Sequence, residues 1–241
     1  SKFGSYTRQY GVFDLPFIFK DMDAAIRFTN SKDGKNLLNA MNDVGFVGLG
    51  YWMSGMKYFS GNKALTLPTD AKGMKFRVQS SDVAKAMIAA MDGSPQPMAF
   101  KEVYGALQTG VVDGQDTPYT TIYAMKFGEV QKYISDLHYL FLLEPLIVSE
   151  SLFQSQDKAT QDAMIAAGKE ASAYSLQWLK DQEAKIKTEL VSKYKMEINA
   201  IEDEAEWAKK AQEAVWPKFY ESVGGKDKVN ALLRSLGRDE I

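Results

Sequence analysis

Cysteine is absent from this chain of 241 residues, and histidine occurs once, as His138. The first absence removes disulfides, thiolate nucleophiles, iron–sulfur clusters and cysteine-type zinc sites together, and the second removes any His-rich metal site. A chain without thiols suits an oxidising compartment, where a stray cysteine is a liability. An excess of charge of either sign is also missing. Lys plus Arg number 29 against 31 for Asp plus Glu, a net charge of −2, which gives no footprint for nucleic acid or an anionic membrane. No run reaches the ~18 apolar residues of a membrane-spanning helix. The nearest approach, residues 139–148, is interrupted by Glu144 and Pro145. No positively charged, then apolar leader opens the sequence, so the expectation is a mature, cytosolic or excised chain.

What is present is an ordinary globular composition, with 45% hydrophobic and 25% charged residues. The length corresponds to one or two domains of ~100–200 residues each. The pattern is mixed α/β. Residues 12–19 read as a short apolar strand or loop and residues 22–41 as a helix. The glycine-rich apolar run 45–52 reads as a buried strand in which glycine marks close backbone approach. Residues 74–79 alternate with period two, with Met74, Phe76 and Val78 on one face and Lys75, Arg77 and Gln79 on the other. Ser81 and Asp82 are good caps for a helix over 83–91. A proline-rich loop over 94–97, a short helix over 101–108, a strand and turn at 111–114 and one or two strands within 134–148 follow. From residue 157 the pattern is helical, with an apolar seam through Met164, Ala167, Ala171, Tyr174 and Trp178 that shifts to Leu179, Ile186 and Leu190. A last short strand over 196–201 and two closing helices, the first kinked at Pro217, complete the reading.

Several enzyme signatures fail on spacing. Gly45, Gly48 and Gly50 suggest a dinucleotide loop, but Met53 stands where the third glycine belongs. Ser54-Gly55 is preceded by Trp52 rather than by the glycine of a nucleophile elbow. Asp21 and Asp23 begin like a calcium loop that Ala25 and Ile26 end. Asp113 and Asp116 flank a glycine turn and serve as structural acids or as acid–base groups. His138, in an apolar context, is a structural histidine or a ligand contact. Arg77 is an exposed rim charge or a fork for a carboxylate, whose geometry the guanidinium matches.

Gly73-Met74-Lys75-Phe76-Arg77-Val78 and the block from Phe100 through Ala106-Leu107-Gln108-Thr109-Gly110-Val111-Val112-Asp113-Gly114-Gln115 closely resemble the solute receptors of tripartite ATP-independent periplasmic (TRAP) transporters of the DctP type. Phe13-Asp14-Leu15-Pro16-Phe17, residues 127–133 and His138 extend the resemblance over nearly the whole chain. It implies a periplasmic-binding-protein-like α/β fold of two lobes, with a long helix over 157–193 spanning both. One lobe is expected from 1–54 plus 143–182, the other from 55–142 plus 183–241. It implies a periplasmic receptor, not an enzyme, that holds a small organic acid between the lobes without a cofactor and delivers it to a membrane permease. Arg77 would pair with the solute carboxylate, Phe100 would pack on its body, and Lys57, Thr117 and His138 complete the expected set. Thr117 stands where the family often has asparagine, and Lys57 where many members carry a second arginine. Members begin with two further strand–helix units, roughly 60 residues, so the first lobe is expected to be incomplete and the chain to self-associate through an unpaired sheet edge. The competing readings are an enzyme using Asp113, Asp116 or Glu144 as a base, and a degenerate relative that no longer binds solute.

Overall fold

The computed structural model describes residues 7–241. Six strands form one sheet in the order β3-β2-β4-β1-β5-β6. Its backbone is a pair of long antiparallel strands, β1 (Phe46–Gly61) and β5 (Tyr133–Ser149), that run the length of the molecule. The sequence reading stopped the first at residue 52. The strand continues because Met53, Met56 and Phe59 keep finding buried positions, and register shifts at Gly48/Gly50, Met53/Gly55 and Lys57/Phe59 absorb the twist. Gly55 takes φ +106 at one of these shifts, a conformation that side-chain-bearing residues rarely adopt.

Beside β1 lies β4 (Gly114–Thr117), antiparallel to it, and then β2 (Lys75–Val78) and β3 (Ser94–Pro97), both parallel to β4 through β2. The strand at β4 begins three residues after the position expected from Val111-Val112. Residues 94–97, expected as a loop, form an edge strand. Ser94 N–H donates to the Met74 carbonyl and Met98 N–H to that of Val78, so Pro95 and Pro97 sit where their missing N–H groups would face the open edge. On the far side, β6 (Glu197–Asn199) runs parallel to the start of β5.

The single helix expected over 22–41 is two, α1 (Met22–Asn30) and α2 (Lys32–Asn39), broken at Ser31, whose hydroxyl accepts from Gly34 N–H at 3.1 Å. The break is hidden in the sequence because the apolar period continues across it. Four short or medium helices, α3 (Asp82–Ala90), α4 (Val103–Gln108), α5 (Tyr119–Ala124) and α6 (Glu150–Gln154), cover the sheet connections, and Ser81 caps α3 as expected.

The long helix α7 (Lys158–Ser192) packs along β1. Its buried face is Gly168, Ser175, Leu179, Ile186 and Leu190, one position from the first half of the expected seam, and Tyr174 is 63% exposed. The cause is the closeness of helix and strand. A Cβ on Gly168 would stand 2.5 Å from Leu49, so only glycine fits there without a shift. Ser172 and Ser175 accept hydrogen bonds from the backbone N–H groups of Tyr51 (2.9 Å) and Met53 (3.1 Å), which no neighbouring strand reaches.

The core centres on Phe59, whose ring stacks on Tyr139 at 4.8 Å and meets Phe76 edge-on at 5.5 Å, with buried Trp207 of α8 (Glu204–Ala214) beyond. Past α8 the chain turns through Trp216–Lys218, with Pro217 opening that short turn after the helix has ended rather than kinking it. Residues 216–241, grouped with 55–142 in the lobe division above, pack on the N-terminal segment. Trp216 Nε1 donates to the Pro16 carbonyl, and Arg238, beyond α9 (Lys226–Ser235), donates to those of Phe17 and Ile18.

Candidate functional site

Parallel strands collect ligands at their carboxyl ends, where backbone groups and loop side chains converge on a crevice. Here β2, β3 and β4 open onto a cavity of about 840 Å³. Arg77 and Gln79 enter it from β2, Met98 and Phe100 from the segment after β3, and Asp116 and Thr117 from β4. Trp52, Ser54 and Lys57 of β1, Glu144 of β5 and Trp178 of α7 form the other wall.

Arg77 is 6% exposed, which rules out a rim charge. Its Nη2 donates to the Met98 carbonyl at 3.2 Å, Nε has no hydrogen-bond partner, and the guanidinium lies 5.6 Å from the Phe100 ring centroid. Burial lowers its pKa and nearby Asp116 opposes that shift, but a guanidinium stays charged in either case. A fork of five donors that spends one on the protein is built to receive an anion from outside.

Lys57 behaves differently from expectation. It is 4% exposed and its ammonium is bound to Asp116 Oδ2 at 2.7 Å, so its charge is neutralised within the protein rather than offered to a solute. The same Asp116 oxygen accepts from the Tyr139 hydroxyl, whose pKa is pushed well above the usual range by burial and then by Asp116 itself. Asp14 faces this group across a small internal space, and burial raises its carboxyl. Asp116 is therefore a fixed counter-ion, not a free base. Asp113 lies outside the cavity lining and accepts from Lys75 N–H at 2.7 Å; Glu144 lines the cavity and accepts from Ser54 at 3.0 Å.

Of the expected set, Arg77, Phe100, Thr117 and Lys57 are brought together in one cavity. His138 is not among the lining residues. It lies on β5 against the first residue of α8, its backbone N–H donating to Glu204 at 2.8 Å and its ring 3.6 Å from Glu204 and 3.9 Å from Asp136. Hydrogen bonding to Glu204 raises its pKa against the opposing effect of burial. Trp178 was missed as a site residue because the sequence placed it in the helix seam. It lies outside that seam, 39% exposed, on the cavity wall.

An α/β molecule with a cleft at its strand ends, a buried arginine without an ion-pair partner in that cleft and a long helix packed along one of the two crossing strands fits the class of two-lobed solute-binding proteins. Residues 1–222 match the model of bacterial extracellular solute-binding protein, family 7 (DctP), and the chain belongs to that family. It is 38% identical to the C4-dicarboxylate-binding periplasmic protein DctP of Shewanella loihica, covering 98% of this chain and 70% of that protein. It is 37% identical to the protein of the same name from Vibrio cholerae, over 97% of this chain and 70% of the relative. Among solved structures, a TRAP periplasmic solute-binding protein from Shewanella oneidensis with bound succinate superposes with a TM-score of 0.92 at 35% identity, over 98% of this chain and 77% of that one. The fold is thus the two-lobed periplasmic-binding-protein fold, and the family and its structural neighbours are solute-binding proteins rather than enzymes.

Proposed function

We propose that this chain is a periplasmic receptor that captures a small carboxylic acid in the cavity at the ends of β2, β3 and β4 and hands it to the permease of a TRAP-type transporter. The observation that carries the reading is the Arg77 guanidinium, buried at the cavity wall with one protein hydrogen bond. Charge-assisted bidentate bonds are roughly twice as strong as neutral ones, and exclusion of water on closure strengthens them. Phe100 and Trp178 flank the space that the carbon body of the acid would fill. The relatives point the same way, since their names specify C4-dicarboxylates and succinate.

Capture of this kind needs no chemistry on the solute. Differential affinity for the closed form selects the state that docks on the membrane partner. Calorimetry with succinate tests the reading. Arg77→Ala is expected to lose about 2–5 kcal/mol of binding, roughly thirty- to several-thousand-fold in affinity. A change below threefold removes Arg77 from the site.

Self-association is proposed on a separate observation. From Leu140 onward β5 has β1 on one side and no strand on the other among the described residues. Unpaired edges of this sort recruit further strands. Light scattering that returned a monomer at all concentrations would remove this part.

A further inference from the structure

A second cavity, of about 710 Å³, opens on the first half of β1, between α1 and α2 on one side and α7 on the other. Of the described residues that line it and the cleft at Arg77, only Met53 is shared. The space is held open by close packing at both flanks. A Cβ on Gly48 would stand 2.5 Å from Leu38 of α2, and one on Gly50 would meet Gly168 and Ser172 of α7. Both helices already touch the strand, so neither can settle further to fill the gap. The volume falls within the ~300–1,000 Å³ of small-molecule sites.

The walls are aliphatic. Val47 and Leu49 of β1, Leu38 of α2, and Ile165 and Leu176 of α7 face this space and are only half-buried. Elsewhere such side chains interdigitate and leave few voids wider than a water. The floor from Val47 to Met53 runs up to about 20 Å at ~3.3 Å per residue, enough to lay a medium-chain acid out straight.

The rim carries charge of one sign. The chain as a whole has more acidic than basic residues, yet no Asp or Glu is among the described residues of this lining. Its charged members are Lys35 of α2 and Lys169 of α7, one from each flanking helix. Both are exposed, and among the described residues neither is in an ion pair. Asn39 and Asn42 add amide donors beside them. An apolar trough with cations at its mouth complements a molecule of the reverse design, with an aliphatic body and an anionic head. The cleft at Arg77 is of another kind, since Gln79, Ser80, Glu102 and Glu144 surround it with polar groups.

We infer that the cavity between α2 and α7 is a second ligand site, which takes a medium-chain aliphatic carboxylate with its tail along Val47, Leu49 and Leu176 and its head at the lysine-bearing rim. Burial of the tail supplies the affinity, and Lys35 and Lys169 fix which end lies outward. The site is separate from the proposed capture at Arg77 and does not depend on it.

Isothermal titration of the full chain with hexanoate, octanoate and decanoate, each below its micellar concentration, tests the assignment. Affinity should rise roughly fourfold for each added methylene, the increment for burying one such group. Lys35→Glu/Lys169→Glu, a pair of changes at exposed positions, should weaken decanoate by about two- to thirtyfold and leave succinate unaffected. Ala173→Trp, at an exposed position of the wall, should fill the space and abolish decanoate binding while the melting curve stays that of wild type. Folded Arg77→Ala should bind decanoate as wild type does. No binding of decanoate overturns the site, and so does an affinity indifferent to chain length or to the lysine reversals. Binding that survives Ala173→Trp but is lost in Arg77→Ala puts the acid in the cleft and overturns it too. Decanoate binding with the expected chain-length dependence in a protein that ignores succinate supports this site and removes the capture reading.

Discussion

At the scale of single residues, the buried charges near the cavity have different tasks. Arg77 has a protein environment that leaves most of its donors free, whereas Lys57 is consumed by Asp116. Removing Lys57 strands a buried carboxylate, so Lys57→Ala is expected to destabilise the fold by about 3–5 kcal/mol, read from denaturant midpoints. Replacing Lys57 and Asp116 together with apolar residues of similar volume should cost much less. His138 gives a pH signature of the opposite kind. Hydrogen bonding to Glu204, against burial, raises its folded pKa above the unfolded value of about 6.5. Its stabilising contribution is therefore complete below that unfolded value and fades as pH rises through the folded pKa. Melting curves of wild type and His138→Gln should differ most at acidic pH and converge toward alkaline pH. The ring is partly exposed, which keeps the difference small. Much of this scale was legible early. Arg77 stood out on its amphipathic strand as either a rim charge or a carboxylate fork, and its pairing role, like the places of Phe100 and Thr117, followed from the resemblance. The engagement of Lys57 by Asp116 was not legible, because the two are 59 positions apart and meet only through the pairing of β1 with β4.

At the scale of elements, α7 shows why hydrophobic periodicity misplaces a tightly packed helix. Its contact with β1 is made by a glycine and two serines, and these carry no apolar signal. Ser175→Ala leaves the buried Met53 N–H without a partner and is expected to cost about 1–3 kcal/mol in chemical denaturation. Gly168→Val forces the helix off Leu49 and should lower the melting temperature further than Ser175→Ala does. The two strands that cross the molecule were legible in part. The start of β1 was read from its glycine-rich apolar run, but its continuation to Gly61 was not, because the register shifts break strict alternation. The break between α1 and α2 was invisible for the converse reason: the apolar period survives a turn made by one serine.

At the scale of the whole molecule, the cavity lies where two halves of the chain face each other across the crossing strands. One side carries Arg77, Phe100 and Thr117, and the other carries Trp52, Glu144 and Trp178. An acid bound between them links the halves and stabilises the native state in proportion to the logarithm of its concentration. The melting temperature should therefore rise with each tenfold increase of a bound acid, and for Arg77→Ala the rise should begin only at concentrations at least about thirtyfold higher. The two tryptophans on the same wall predict a change in intrinsic fluorescence during that titration. This architecture was visible in sequence only through the family blocks. Composition and spacing excluded thiol chemistry, Cys- and His-rich metal sites and the common nucleotide-binding loops, but nothing in them located a cleft.

The serines of α7 make one further quantity measurable. Tyr51 and Met53 lend their amide protons to a helix side chain instead of to a strand, so deuterium reaches those two sites when the helix lifts, not when the sheet frays. Their exchange rates clock the attachment of a 35-residue rod to the ribbon beneath it. If a captured acid slows those two amides more than the amides of β6, the rod and the ribbon move as one body once the receptor is loaded.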